Sequence, residues 1–278
     1  MNRYFKKFGI PYYVWLFVLA ILPIFIMLIL SFIDCEGVDI VGASFTFNNF
    51  SILATKSTLI SFGNSLMYAF ITTFLCAAIG YVVAYKIYRS HFKNKFLIVT
   101  LLILPMWSNI LLRINALKNI MEPHNIIISI LNSWGLNVIG PDLAGTPIAV
   151  IIGLVATYLP FMILTIYTAL EKLDPSLEEA ALDLGLTNMK KFWKVVFPLS
   201  FKGIITGSIM VFLPCMSGFA IPEILGQGNI VLIGNVIDQL FRNMNYNAGA
   251  LLSIVILILI LGAIAIVNVV DKEGETLI

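Results

Sequence analysis

The sequence predicts an all-α protein threaded six times through a membrane, and three observations carry that prediction. Hydrophobic residues make up 60% of the chain and charged residues 12%, about half the roughly 25% charged share of soluble domains. Six apolar runs, at about 12 to 33, 61 to 85, 96 to 117, 148 to 170, 202 to 222 and 249 to 270, reach the roughly 20 residues a helix needs to cross hydrocarbon. The basic residues are lopsided. With the N-terminus inside, 13 of the 17 fall on inner segments, and only Lys56, Arg113, Lys118 and Arg242 lie outside or at outer helix ends. An even number of spans puts both termini on one side, and the positive-inside bias makes that side the cytoplasm.

Taken in order, the first run is too long for a signal-peptide core and Asp34-Cys35-Glu36 offers no small-residue cleavage site, so it is expected to stay as a span. The residues Phe32-Ile33-Asp34 before Cys35 also lack the small side chains that lipid modification of a cysteine wants. Runs three, four and five carry Pro105, Pro160 and Pro214, each freeing a carbonyl and bending its helix at a depth where unpaired backbone is costly. With Gly153, Gly203, Gly207 and Gly218 permitting close approach, helices three to five are expected to form an inner wall while one and six meet lipid. Residues 229–242 form an apolar run too short to span, either an interfacial or re-entrant helix or a segment packed over helix ends.

The charged stretch between runs four and five is the most informative. Asp174 is placed to cap a helix whose first residue is Pro175, with Glu178 and Glu179 near its positive end. Leu177, Ala180, Ala181 and Leu184 form one apolar face, and Gly185 supplies the permissive backbone past the helix end. A second helix starts near Thr187, repeats the stripe with Met189, Phe192, Trp193 and Val196, turns Lys190, Lys191 and Lys194 the other way, and is expected to stop before Pro198. Neither helix is long enough to span. An amphipathic hairpin of this kind either lies on the membrane surface and its own helices or meets a soluble partner.

Several functions are excluded. The near-neutral charge and the inner concentration of lysines give no support for nucleic-acid binding. No GxxxxGK[ST], HExxH or GxSxG motif occurs, and Gly226-Gln227-Gly228 lacks the third glycine of a dinucleotide site, so no catalytic residue and no enzyme activity is assigned. Cys76 and Cys215 read as small hydrophobes, and His91 and His124 fall on opposite sides of the membrane, so no metal site is expected.

The order Glu179-Ala180-Ala181, Asp183, Gly185 and then Phe197-Pro198-Leu199 resembles the EAA loop of permease subunits in bacterial ATP-binding-cassette importers. The resemblance implies the type I importer permease fold as one transmembrane domain over 1–278, with the cytoplasmic coupling loop at 171–201. It also implies a bacterial inner-membrane location and a short helix that docks on a partner ATPase. Glu178, Glu179, Ala180, Ala181, Asp183, Gly185 and Pro198 would be the coupling residues. ATP and Mg would then sit on the partner ATPase pair, leaving this chain without a cofactor. A second related permease and an extracytoplasmic substrate-binding protein would complete the assembly.

Leu104-Pro105-Met106-Trp107-Ser108-Asn109, Leu170-Glu171-Lys172-Leu173-Asp174 and Leu232-Ile233-Gly234-Asn235-Val236-Ile237 resemble, more narrowly, the B-type permease subunits of spermidine/putrescine importers. This second resemblance implies polyamine import by alternating access. A chain of ammonium and methylene groups calls for aromatic faces and carboxylates, and Trp107, Asn109, Phe219 and Glu223 are the candidate pathway residues. No Asp or Glu sits mid-span, which places selectivity mostly on the other subunits. Two readings compete: the same architecture with another cargo, such as a thiamine-like cation, iron chelate or phosphonate, and a secondary transporter or channel that needs no ATPase.

Overall fold

Proline, glycine and asparagine set where the helices of this chain begin, bend and stop. The computed structural model describes residues 11–34, 44–135 and 142–270; Arg3, Lys6, Lys7, Cys35, Glu36, Asp39 and Lys272 lie outside the described residues. Within them, five helices are long and apolar enough to cross a membrane, and one sharply bent pair makes a sixth span if its halves are taken together. The described residues form two units, 11–62 with 233–265 and 63–232 with 266–270.

In the first unit α1 (Pro11–Ser31) is apolar and exposed on nearly every side, as expected of a helix solvated by lipid. Pro23 is accommodated because a π-helical stretch, Phe17–Ile21, widens the preceding turn. Beyond it a minimal hairpin pairs Ile33 with Phe45, and Asn49 Nδ2 donates to the carbonyls of Ser31 and Ile33 at 3.1 and 2.9 Å, satisfying groups the helix end leaves open. The same unit holds α10 (Ile233–Arg242) and α11 (Tyr246–Val270) as far as residue 265. Ile233, Val236, Ile237 and Leu240 share one face of α10 and pack against Leu252 and Ile256 of α11 and against Ile52 and Leu53. Of the two expectations for residues 229–242, packing on the chain's own helices is the one observed for α10.

The second unit contains α2 (Lys56–Arg89), whose first residues belong to the first unit, then α3 (Lys95–Trp107, ending in a 3-10 turn), α4 (Ile110–Met121) and α5 (Ile126–Ser133). It continues through α6 (Pro147–Glu171), α7 (Pro175–Asp183), α8 (Asn188–Ser217) and α9 (Ala220–Gly226). Its centre is the packing of α6 on α8. A Cβ at Gly203 would lie 2.6 Å from the Ala169 Cβ and 2.8 Å from the Thr165 carbonyl oxygen, so only glycine lets the two backbones approach.

The span boundaries differ from the sequence expectation in two places. The third run is not one helix: α3 and α4 meet at 92°, because Ser108 is extended and Asn109 starts a new helix by accepting from Leu111 N–H at 2.8 Å. Arg113 turns back on this bend, and its Nη1 donates to the Pro105 carbonyl at 3.0 Å. The fifth span runs from Asn188 to Ser217 rather than from 202 to 222, and Pro198 does not end the hairpin's second helix. In the π-helical stretch Phe192–Val196 the Phe197 N–H bonds to the Phe192 carbonyl, five residues back. That wider turn makes room for a proline ring that would otherwise meet the carbonyl four residues earlier.

Candidate functional site

The connection from α6 to α8 is built by three local signals that agree. Asp174 accepts from Ser176 N–H at 2.9 Å and Pro175 fills the first helical position, which starts α7. These hydrogen bonds to Ser176 hold the Asp174 carboxyl below its ordinary range. At the other end Gly185 takes φ +79°, its N–H bonds to the Leu182 carbonyl, and the Leu186 N–H bonds to the Ala181 carbonyl. This pair of bonds requires a left-handed residue and stops the helix abruptly. Thr187 then caps α8 by accepting from Lys190 N–H at 3.4 Å.

Burial divides α7 into two faces with an unusual distribution of side chains. Glu178 (8% exposed) and Ala181 face inward, whereas Leu177, Glu179, Ala180, Leu182, Asp183, Gly185 and Leu184 (84% exposed) face outward. The predicted apolar stripe is therefore split: Leu177, Ala180 and Leu184 are presented outward, and Ala181 is not. Pro198, further along α8, is exposed as well.

Glu178 is the centre of a charged cluster in which it and Lys191 are buried and Arg89 is half-exposed. Its Oε2 accepts from Lys191 Nζ at 2.8 Å and from Arg89 Nη1 at 3.3 Å, and its Oε1 accepts from the Tyr88 hydroxyl at 2.9 Å. Lys191 is itself only 3% exposed, so it does not point away with Lys190 and Lys194 as the helical pattern predicts. Burial by itself would raise the Glu178 pKa, but the Lys191 and Tyr88 hydrogen bonds, with the charges of Lys191 and Arg89, outweigh it and hold the carboxyl below its ordinary value. Removing one partner from such a buried pair typically costs about 3–5 kcal/mol, because the other charge is left without compensation. Glu178 thus meets its own chain, while Glu179 beside it faces outward.

An aromatic layer supports this cluster. Tyr81, Tyr85 and Tyr88 recur along one face of α2; Tyr85 meets Phe192 edge-on at 5.0 Å, and Tyr81 meets Phe197 at 5.4 Å and shares a 2.8 Å hydrogen bond with Ser200. Tyr88, Arg89 and Lys191 were missed by sequence reasoning. The tyrosine spacing at 81, 85 and 88 was a visible signal of a packed face, but nothing local pairs it with residues about a hundred positions later.

The four candidate pathway residues lie on two elements. Trp107 (89% exposed) and Asn109 sit at the bend between α3 and α4, where the Asn109 side chain is occupied in capping α4. Phe219 and Glu223 are exposed at the start of α9 and one turn apart, with the Glu223 N–H bonded to the Phe219 carbonyl at 3.0 Å. Segment α9 packs against α4 and α6. Among the described residues no group of acidic, histidine or cysteine side chains is arranged to hold a metal ion.

Comparison with known proteins adds three findings. The profile of a family described as binding-protein-dependent transport system inner membrane component matches residues 79–273. The spermidine/putrescine transport system permease protein PotB of Haemophilus influenzae is 34% identical over 265 residues, 94% of this chain and 93% of that protein, and its namesake in Escherichia coli K12 is 35% identical over 245 residues, 88% and 89%. Among solved structures, the crystal structure of a bacterial ABC transporter involved in the import of the acidic polysaccharide alginate superposes with a TM-score of 0.78 over 98% of this chain and 96% of the other, at 15% identity, a likeness of fold.

Proposed function

This chain belongs to the family of binding-protein-dependent transport system inner membrane components, and on that premise we propose that it is a permease subunit of an ATP-driven importer carrying polyamines such as spermidine and putrescine into the cytoplasm. It is a multi-pass inner-membrane protein. The observation that carries the ATP-driven part of the reading is the outward face of α7. A rigidly bounded helix presenting Leu177, Ala180 and Leu184 beside Glu179 and Asp183 is costly to leave in water and suits the groove of a soluble partner. The excess of basic residues on the same side of the membrane as this loop supports a cytoplasmic partner.

In this reading the N- and C-termini and α7 lie in the cytoplasm, and the partner ATPase pair binds ATP and Mg. Glu179, Ala180, Asp183 and Gly185 make or shape the docking contact. Closure of the ATPases displaces α7, and α8, continuous from Asn188 into the membrane, carries the displacement to the spans. A second, related permease completes the path, and an extracytoplasmic binding protein delivers the substrate. Near 34% identity along almost the whole length of relatives named for spermidine and putrescine supports the choice of cargo. Trp107 offers an aromatic face and Glu223 a carboxylate to a flexible polycation. The test is uptake of radiolabelled spermidine and putrescine by cells that lack their own system and express this chain with its neighbouring subunits. Uptake that requires ATP and this chain is expected. Wild-type uptake without any ATPase subunit would refute the ATP-driven reading, and accumulation of a different solute in place of polyamines would refute the cargo.

A further inference from the structure

Glu178 lies next to the outward face of α7 yet is turned fully inward, where it touches residues of two different membrane-crossing helices. Tyr88 and Arg89 end α2, and Lys191 lies in the first turn of α8. One carboxylate therefore ties the short helix to two spans at once, by three hydrogen bonds of 2.8 to 3.3 Å. The connection of α7 to α8 is already covalent through Gly185 and Thr187, but that link contains a left-handed glycine turn with no neighbour within 4 Å of where a Cβ would stand. The connection to α2 has no covalent counterpart, since residues 90 to 177 intervene. A helix displaced by a partner moves α2 only if something other than the chain joins them.

We propose that Glu178 is a positioning residue whose buried ion cluster transmits displacement of α7 into α2 as well as α8. The inference rests on the ATP-driven reading above and deepens it. The physical reason is stiffness: Glu178 and Lys191 are both buried, and their separation would leave two charges without partners out of water, while Tyr88 and the half-exposed Arg89 hold the same carboxylate from α2. The tyrosine and phenylalanine layer beneath it, Tyr85 on Phe192 and Tyr81 on Phe197, keeps α2 and α8 in register so that the load is shared. Glu179, the adjacent carboxylate, faces outward and serves the partner instead.

The test uses the whole importer reconstituted in proteoliposomes, with radiolabelled spermidine uptake and ATP hydrolysis measured on the same preparation. For Glu178→Gln the ATPase subunits still co-purify, and spermidine moved per ATP hydrolysed falls about tenfold. The exchange Glu178→Lys with Lys191→Glu restores much of that ratio, which a merely space-filling role would not. Tyr88→Phe, a milder change for the case in which Glu178→Gln does not assemble, lowers the ratio about two- to threefold. A wild-type ratio in Glu178→Gln, or in Tyr88→Phe where the first variant fails to assemble, overturns the proposal. So does a charge exchange no better than Glu178→Gln alone. Failure of the unmodified chain to retain any ATPase subunit would instead overturn the function proposed above, so the two failures are distinguishable.

Discussion

Helices α7 and α10 are both too short to cross a membrane, both amphipathic and both set between spans, but they use their apolar residues in opposite ways. Segment α10 lays Ile233, Val236, Ile237 and Leu240 against Leu252, Ile256, Ile52 and Leu53, and carries an Asp238–Arg242 ion pair with Arg242 in solvent. Segment α7 puts a carboxylate and an alanine inside and its leucines outside. A helix that buries its apolar stripe on its own chain contributes to folding. One that exposes the stripe and anchors itself by a charge leaves an apolar face uncovered, as the proposed docking on a partner requires.

That contrast can be broken most directly at the outward face. Ala180→Asp combined with Leu184→Asp places two carboxylates where a partner groove would close, and we expect ATPase co-purification to fall by about tenfold or more, with the chain still inserted. Retention at wild-type levels would make α7 a structural helix like α10. The converse test lies in the first unit: Leu252→Ala removes a buried side chain beneath α10 and should cost about 2–5 kcal/mol of stability, read as a lower melting temperature in detergent, while co-purification per folded chain persists. Loss of ATPase binding without loss of stability would erase the distinction.

Gly185→Ala sharpens the comparison at the helix boundary. No neighbour would crowd the added methyl group, so the expected cost of about 1–2 kcal/mol is strain at φ +79°, and it should fray α7 as measured by hydrogen exchange. The smallest effect concerns pH. The Glu178 pKa is lowered in the folded chain, so its cluster contributes stability that is fully present above the unfolded carboxyl value near about 4.3 and is lost as pH falls through the depressed folded value. Melting temperature should therefore decline on acidification below about pH 5, and the decline should be shallower in Glu178→Gln. An identical acid limb in both proteins would place the stabilising titration elsewhere.

Much of this was legible in the residues. The spans, the two capped ends of α7 and the glycine-mediated approach of α6 and α8 follow from local pattern, since hydrophobic length, a capping Asp or Thr and a glycine act within a few residues of themselves. One error came from treating proline as a terminator: Pro198 lies within α8 because a π-helical turn absorbs it. A bend was expected at Pro105, but the helix breaks just after it, at Ser108 and Asn109. Periodicity also misplaced Ala181 and Lys191, because it tells which residues share a face but not which face meets the rest of the chain.

The sequence by itself determined that the chain crosses a membrane, which family's loop motif it carries, and where that loop's first helix starts and stops. Only the tertiary structure decided that Glu178 turns inward to Tyr88, Arg89 and Lys191 while Glu179 turns out, and that α3 meets α4 at 92°. The first set depends on the chemistry of neighbours along the chain. The second depends on which distant side chains arrive at the same place, and for a buried carboxylate that arrival decides whether it is held by its own protein or left for another.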